Sequence, residues 1–176
     1  LFVDASGPPA LLRGPTVRSL DWTDTLPADR LLVATGLPSS ASIDRYRRWS
    51  MGWAADWPGR RRSFRAIAFS AALCDEAAAR TMLDDAGAPA ALAEMPAGRQ
   101  QCFWSDNCLA IGEAAAQFGA LELVGFSFAQ AQIGMALELL PPRSMPERLL
   151  LEYDRLAGMR ADTLRDWLAA HHLPPA

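Results

Sequence analysis

The residues with the clearest potential for chemistry lie between Asn107 and Phe128. A short apolar run over Cys108 to Ile111 ends at a glycine, and a segment of small residues follows from Glu113 to Ala116. This order predicts a buried strand that leads into a turn and a helix. Small residues at a helix start leave its amide groups open to an anion or to the edge of a cofactor. The simpler alternative is a strand packed under a helix, where the small residues only permit close contact.

Glu122 is the candidate acid–base residue of this stretch. It stands alone among apolar neighbours, and Gly119 and Gly125 flank it. A carboxylate is costly to bury without a partner, so a buried position here would indicate a functional role. The alternative is a residue that faces solvent from a loop or a helix edge.

Three tryptophans, Trp49, Trp53 and Trp57, recur at even spacing before a Pro58-Gly59 turn. A period of two predicts a strand with these large side chains on one face. That face can be part of the core or a cage around an aromatic ligand. The arginine run at residues 60–62 is typical of a solvated hairpin tip.

The composition limits the class of protein. With 51% hydrophobic and 21% charged residues the chain is expected to be globular, and its net charge of −3 gives no indication of nucleic acid as a partner. The three cysteines and two adjacent histidines lack metal-ligand spacing, so no metal site is expected and the cysteines are expected to be reduced. Reduced cysteines favour a cytoplasmic protein. Polar residues interrupt the apolar stretch at 118–140, so no membrane span is expected.

Periodicity predicts an α+β fold in which antiparallel strands come first and helices last. The predicted strands cover residues 1–5, 30–35, 49–57, 63–70, 99–104 and 107–111, with mostly loop over 14–28. The predicted helices cover residues 75–86, with Cys74 at the cap position and Gly87 as the stop, then 113–120, 126–140, 146–159 and 161–172. Residues 1–111 are therefore expected to form a mainly β region with one helix, and residues 112–176 a helical region.

Six short motifs occur in a fixed order along the chain. They are Asp-x-Ser-Gly at 4–7, Leu-Pro-x-Asp-Arg at 26–30, Gly-Trp to Pro at 52–58, Gly-Arg to Trp at 98–104, Asn-Cys-x-x-Ile-Gly at 107–112 and Arg-Asp-Trp at 165–167. In type and order these motifs resemble those of the flavin-dependent tryptophan halogenases. Because they span almost the whole chain, the resemblance implies the substrate-sheet part of an FAD-dependent monooxygenase fold, with helices after it.

The resemblance also implies roles for particular residues. By position they are Glu122 as the catalytic glutamate, Val124 and Gly125 at the halide site, Gly112, Glu113, Ala114 and Ala115 beside the flavin, and Trp53, Trp57 and Pro58 along the tunnel between flavin and substrate. The tunnel signature departs from the family pattern, because Ala55 stands at the second tryptophan and Trp57 at the isoleucine. The Ser-Thr pair before the halide glycine is replaced by Leu123 and Val124.

The activity implied by the resemblance is halogenation of tryptophan or an indole-like aromatic with reduced FAD, O₂ and chloride or bromide. A flavin reductase would supply the reduced flavin, and a homodimer is an expected assembly. All 17 basic residues are arginine, and no Gly-x-Gly-x-x-Gly dinucleotide-binding turn occurs in the sequence. The chain is therefore expected to be one incomplete domain of a larger flavoprotein, or a divergent relative. The alternatives are a degenerate module that binds flavin or a partner without catalysis, and a related FAD-dependent aromatic monooxygenase.

Overall fold

The computed structural model describes residues 1–13, 19–36, 40–49, 52–83, 90–121, 124–140 and 146–172. The strands in these residues are β1 (Phe2–Asp4), β2 (Ser19–Asp21), β3 (Arg30–Gly36), β4 (Arg45–Trp49), β5 (Gly52–Trp57), β6 (Ser63–Phe69), β7 (Ala90–Glu94), β8 (Ala97–Gln100), β9 (Trp104–Ser105), β10 (Cys108–Ala110) and β11 (Ala116–Phe118). The helices are α1 (Glu76–Met82), α2 (Val124–Glu138) and α3 (Glu147–Ala170), and a 3-10 turn covers Gly112–Ala114. Antiparallel sheets followed by C-terminal helices confirm the predicted α+β class.

The chain divides into two compact units. Unit 1 comprises Leu1–Leu26, Ala97–Phe118 and Glu122–Ala176, and unit 2 comprises Pro27–Pro96 with Gly119–Leu121. Unit 2 is therefore inserted into the sequence of unit 1. Among the described helices, none is both long enough and apolar enough to cross a membrane.

Unit 2 contains one antiparallel sheet of five strands in the order β4-β5-β6-β3-β7. Alternation along the strands gives this sheet two buried faces. The first face packs under α1, where Leu32, Ala34, Ile67 and Phe69 of the sheet form one buried cluster with Cys74, Ala79 and Leu83 of the helix and its flanking residues. The second face is lined mainly by alanines: Ala28, Leu31, Ala55, Ala66, Ala68 and Ala120.

The prediction that the three tryptophans share one face is wrong. Trp49 belongs to β4 and pairs with Gly52, whereas Trp53 and Trp57 lie in β5. Directly paired residues point to the same side of a sheet, and successive residues alternate. Trp49 therefore packs with the cluster under α1, while Trp53 and Trp57 pack on the alanine-lined face.

The hairpin of β5 and β6 is confirmed, with Ile67 and Phe69 on one face as predicted. Gly52 begins β5 because the neighbouring backbone comes too close for a side chain. A Cβ atom at this position would lie 1.9 Å from the carbonyl oxygen of Ala68. Close approach of the two strands thus explains the glycine of the Gly-Trp motif.

Unit 1 contains two sheets of three strands, ordered β1-β10-β9 and β11-β8-β2. β1 and β10 are parallel, and the other pairs are antiparallel. The short helix predicted from Glu113 to Ala120 is wrong, because a 3-10 turn and β11 occupy this segment. The strand predicted over 99–104 is interrupted at residues 101–103, and β2 lies in a segment predicted to be loop.

Local sequence explains the helix boundaries. Asp75, rather than Cys74, caps α1, since its side chain accepts a hydrogen bond from the Ala78 amide at 2.7 Å. The helix ends at Met82 with Leu83 as its C-cap, so the prediction that it continues to residue 86 is wrong, and Gly87, the predicted stop, lies outside the described residues. The two helices predicted after Pro146 form one continuous helix, α3, whose buried residues Tyr153, Ala157, Gly158, Ala161 and Leu168 share one face.

Aromatic side chains form much of the interior of unit 1. Phe128 of α2 meets the rings of Phe103 and Phe118 edge to face, with centroids 6.1 and 5.4 Å apart. Trp104 meets Tyr153 of α3 in the same manner at 5.2 Å. These contacts hold both helices against the strands around residues 107–128, the segment with candidate functional residues.

Candidate functional site at the carboxyl ends of two parallel strands

Two turns of unit 1 follow the carboxyl ends of the parallel strands β1 and β10. The first turn contains Ser6 and Gly7, and the second contains Gly112 and Glu113. Both glycines have positive φ, +82° and +60°, which favours glycine over other residues. A Cβ atom on Gly7 would lie 3.9 Å from a carboxylate oxygen of Glu113, so the two turns are neighbours. In open sheets, ligands bind beyond the carboxyl ends of parallel strands, which makes this edge the candidate site.

Asp4 shapes the first turn. Its carboxylate is fully buried and accepts hydrogen bonds from the Ser6 amide and hydroxyl and from the amides of Leu12 and Arg13. Burial raises the pKa of this carboxyl, but the bonds from Ser6, Arg13 and Leu12 outweigh burial and hold it below its usual value. Asp4 is therefore an ionised structural residue, which gives the Asp-x-Ser-Gly motif a physical role.

Arg13 is a buried cation that the sequence analysis did not identify. Its guanidinium donates to the carbonyl oxygens of Cys102, at 2.9 Å, and Phe103. These bonds join the loop after β1 to the bend between β8 and β9. An isolated arginine in a loop carries no pattern that would separate it from a surface residue.

Gln132 of α2 fixes the second turn. This side chain is fully buried, its Oε1 accepts from the Gly112 amide at 2.8 Å, and its Nε2 donates to the Ala110 carbonyl at 3.3 Å. Tyr153 of α3 donates its hydroxyl to the Gln132 carbonyl at 3.3 Å. Two helices thus hold the position at which β10 leads into the turn. Like Arg13, Gln132 has no sequence pattern that would indicate this role.

The four residues predicted to lie beside the flavin differ in exposure. Glu113 is exposed and Gly112 is half-buried, whereas the side chains of Ala114 and Ala115 are buried. Only Gly112 and Glu113 can therefore present side-chain or Cα surface to a ligand. Ala114 and Ala115 can take part only through their backbone.

The residues predicted for the halide site begin α2. Val124 and Gly125 are both half-buried, and a Cβ atom on Gly125 would meet nothing within 4 Å. The first turn of a helix has amide groups without helical partners, and an open glycine lets an anion approach them. Glu122, the predicted catalytic residue, and Leu123 lie outside the described residues.

Asp154 of α3 fixes the bend before β9. It accepts hydrogen bonds from the amides of Phe103 and Trp104 at 2.7 and 2.9 Å. Burial raises the pKa of this carboxyl above its usual value, by more than the two amides lower it.

Burial also raises the pKa of all three thiols, Cys74, Cys102 and Cys108, so none has the thiolate character of a nucleophile.

Trp53, Trp57 and Pro58, the predicted tunnel residues, belong to unit 2. The Trp57 indole donates to the Tyr46 hydroxyl at 2.9 Å on the alanine-lined side of the sheet. Trp57 and Pro58 also contribute to the lining of a cavity of about 400 Å³ at the end of the sheet.

Among the described residues of both units, no group of three His, Cys, Asp or Glu side chains is placed to hold a metal ion.

Comparison with known proteins assigns the family. The sequence profile described as tryptophan halogenase matches residues 1–174. The chain therefore belongs to the tryptophan halogenase family.

Individual relatives agree with this assignment. The tryptophan 6-halogenase SttH of Streptomyces toxytricini is 28% identical over 190 aligned positions, which cover 100% of this chain and 36% of SttH. Xcc4156, a flavin-dependent halogenase from Xanthomonas campestris, is 27% identical and superposes with a TM-score of 0.89 over 97% of this chain and 36% of its own. BrvH, a flavin-dependent halogenase from Brevundimonas sp. BAL3, gives 25% identity and a TM-score of 0.87 over 96% and 36%. The chain thus spans just over a third of the length of these relatives.

Proposed function

We propose that this chain forms the part of a flavin-dependent halogenase that borders the flavin and the path to a tryptophan- or indole-like aromatic substrate. The family match across residues 1–174 is the observation that carries the proposal. Two further observations support it: the positive-φ glycines in the turns after β1 and β10, and the open space at Gly125 in the first turn of α2.

The residues present fit a flavin edge and a halide in two respects. Gln132 accepts a hydrogen bond from the Gly112 amide and so fixes this turn. Gly112 is half-buried, and the following residue, Glu113, is exposed. Gly125 leaves open space beside the first turn of α2. The edge of a planar cofactor needs a backbone that it can approach closely, which the turn at Gly112 provides. A halide needs amide donors, which the first turn of α2 at Gly125 provides.

In this proposal reduced FAD, with O₂ and chloride or bromide, supplies the oxidising halogen chemistry. Gly112 and Glu113 border the flavin, with Ala114 and Ala115 contributing backbone only. The amides of Val124 and Gly125 hold the halide, and Glu122 orients the halogenating species or accepts the proton that the aromatic ring loses. Trp53, Trp57 and Pro58 exclude water from the path between flavin and substrate. A flavin reductase is the proposed source of the reduced flavin. The cytoplasm is the proposed location of this protein, and a homodimer is its proposed assembly.

The test uses the whole protein that carries this sequence, supplied with reduced FAD, O₂, bromide and tryptophan or indole. Mass spectrometry should detect a brominated aromatic product.

Replacing Glu122 by Gln should slow turnover about a hundredfold while flavin affinity is unchanged, which is the usual effect of losing an acid–base group. The matched control is Glu138→Gln at the exposed end of α2, which should leave turnover unchanged. Equal turnover of Glu122→Gln and the native protein would remove Glu122 from the site.

The second candidate is a folded module that binds flavin or a partner without catalysis. The departures from the family motifs at Ala55, Trp57, Leu123 and Val124 favour it. Flavin binding without any halogenated product would select this candidate. A hydroxylated product would instead indicate a related aromatic monooxygenase.

A further inference from the structure

The cavity at the end of the unit 2 sheet has a polar wall that the proposed function does not use. Arg45, Asp56 and Arg65 line it, and they are directly opposite one another on β4, β5 and β6. Opposed residues point to the same side of a sheet, so these three charged side chains share one face. By the same alternation the ring of Trp57 points to the other side.

The charges on this face do not balance. Both carboxylate oxygens of Asp56 are occupied, one by Arg65 at 2.7 Å and the other by Arg47 at 3.1 Å. Arg65 also donates to the Leu83 carbonyl at the end of α1 at 2.9 Å, which fixes its position. Within the described part of the chain the Arg45 side chain forms neither an ion pair nor a hydrogen bond, and it is exposed. One guanidinium with five donors therefore remains available at the wall of the cavity.

The cavity has room for more than an inorganic ion. Its volume of about 400 Å³ falls in the range of small-molecule sites. Gly36 helps to keep it open, because a Cβ atom there would lie 2.8 Å from Ser63 Oγ. Pro58 and Ile43 add apolar surface to the lining.

We propose that this cavity binds a small organic oxyanion, a carboxylate or a phosphate ester, through the guanidinium of Arg45. The planar guanidinium matches two oxygens of such a group, and Arg65 adds positive charge beside it. The organic part of the ligand packs on Pro58 and Ile43. The site lies within unit 2 and shares Trp57 and Pro58 with the proposed tunnel residues, but its charged wall has no part in the proposed halogenase function.

Isothermal titration of the 176-residue chain tests this site with benzoate, phenyl phosphate and inorganic phosphate. We expect saturable binding of benzoate or phenyl phosphate with a Kd below about 20 mM. Inorganic phosphate, which lacks an apolar part, should bind more weakly. The preferred probe distinguishes a carboxylate ligand from a phosphate ester. Absence of saturable binding by both organic probes would overturn the proposal.

Variants locate the binding. Arg45→Leu should weaken it at least about tenfold, as expected for a lost charge-assisted hydrogen bond, and Arg45→Gln should do the same if the leucine variant folds poorly. Arg48→Leu is the matched control, since it removes the same charge from the opposite face of the same strand. It should change affinity by less than about twofold, as a rim charge does at physiological salt. Equal weakening by the Arg45 and Arg48 variants would show non-specific attraction and contradict the proposal.

Discussion

At the residue scale, Gly52 and Gly134 show how differently one residue type is used in this chain. A Cβ atom at Gly52 would meet the Ala68 carbonyl at 1.9 Å, whereas one at Gly134, inside α2, would meet nothing within 4 Å. Gly52→Ala should therefore destabilise the chain by more than about 2 kcal/mol through overpacking. Gly134→Ala should stabilise it by about 0.5–1 kcal/mol, because alanine is the better helix former. Urea unfolding of the two variants measures both effects, and equal signs would contradict the close approach at β5.

Two carboxylates of unit 1, the buried Asp4 and the half-buried Asp154, predict opposite pH dependences. The folded-state pKa of Asp4 is lowered, so its stabilising contribution is present above about pH 4 and is lost as the pH falls through the folded value. The folded-state pKa of Asp154 is raised by burial, so its contribution is present below about pH 4 and is lost as the pH rises through the folded value.

The variants Asp4→Asn and Asp154→Asn separate these two effects. Between about pH 6 and pH 3, Asp4→Asn should lose less stability than the native chain, since the group that weakens on protonation is gone. Asp154→Asn should lose more, because the native gain on protonation is removed. Unfolding free energies measured by urea at several pH values give the slopes. Identical slopes for the two variants would contradict the assignment.

At the scale of elements, Gln132 links α2 to the turn after β10. Gln132→Leu keeps the size of the side chain but leaves the Gly112 amide without its acceptor, which should cost about 2 kcal/mol. Gln130→Leu, on the exposed side of the same helix, is the matched control and should change stability by less than about 0.5 kcal/mol. Similar losses for both variants would show that the buried amide does not hold the turn.

The elements that sequence analysis found are those with strong local patterns. β3, β5 and β6 have apolar runs or alternation, and α2 and α3 are long segments without an internal proline. β4 is an arginine-rich edge strand, so it has no apolar period that would predict a strand. The Glu-Ala-Ala-Ala context of β11 predicts helix, and only pairing with β8 overrides that preference.

The candidate site was predictable only in part, for a related reason. Glycines at a turn and small residues after a strand are local signals, so Gly7, Gly112 and Gly125 could be singled out. Arg13, Gln132 and Asp154 act through partners far away in sequence, and single residues of these types look like surface residues. Their roles come from tertiary contacts, which no local pattern encodes.

At the scale of the whole molecule, the 176-residue chain on its own should not halogenate. It contains no lysine, and it spans just over a third of the length of its relatives. With reduced FAD, O₂, bromide and tryptophan or indole, product formation should not exceed that of the reaction without protein. Mass spectrometry measures the product, with heat-denatured chain as the control, and any brominated tryptophan or indole that depends on folded chain would contradict this expectation.

The interrupted sequence of unit 1 has a consequence for the order in which the chain folds. β1 is synthesised before unit 2, yet its partner β10 follows only after nearly all of unit 2. Pairings of such high contact order form slowly, because loop closure must come before any contact is gained. Unit 2, which is continuous apart from Gly119–Leu121, should therefore fold first and bring the ends of β2 and β8 together. Pulse-labelled hydrogen exchange should show amides of β3 and β6 protected before those of β1 and β10, so the turn proposed to border the flavin would be completed last.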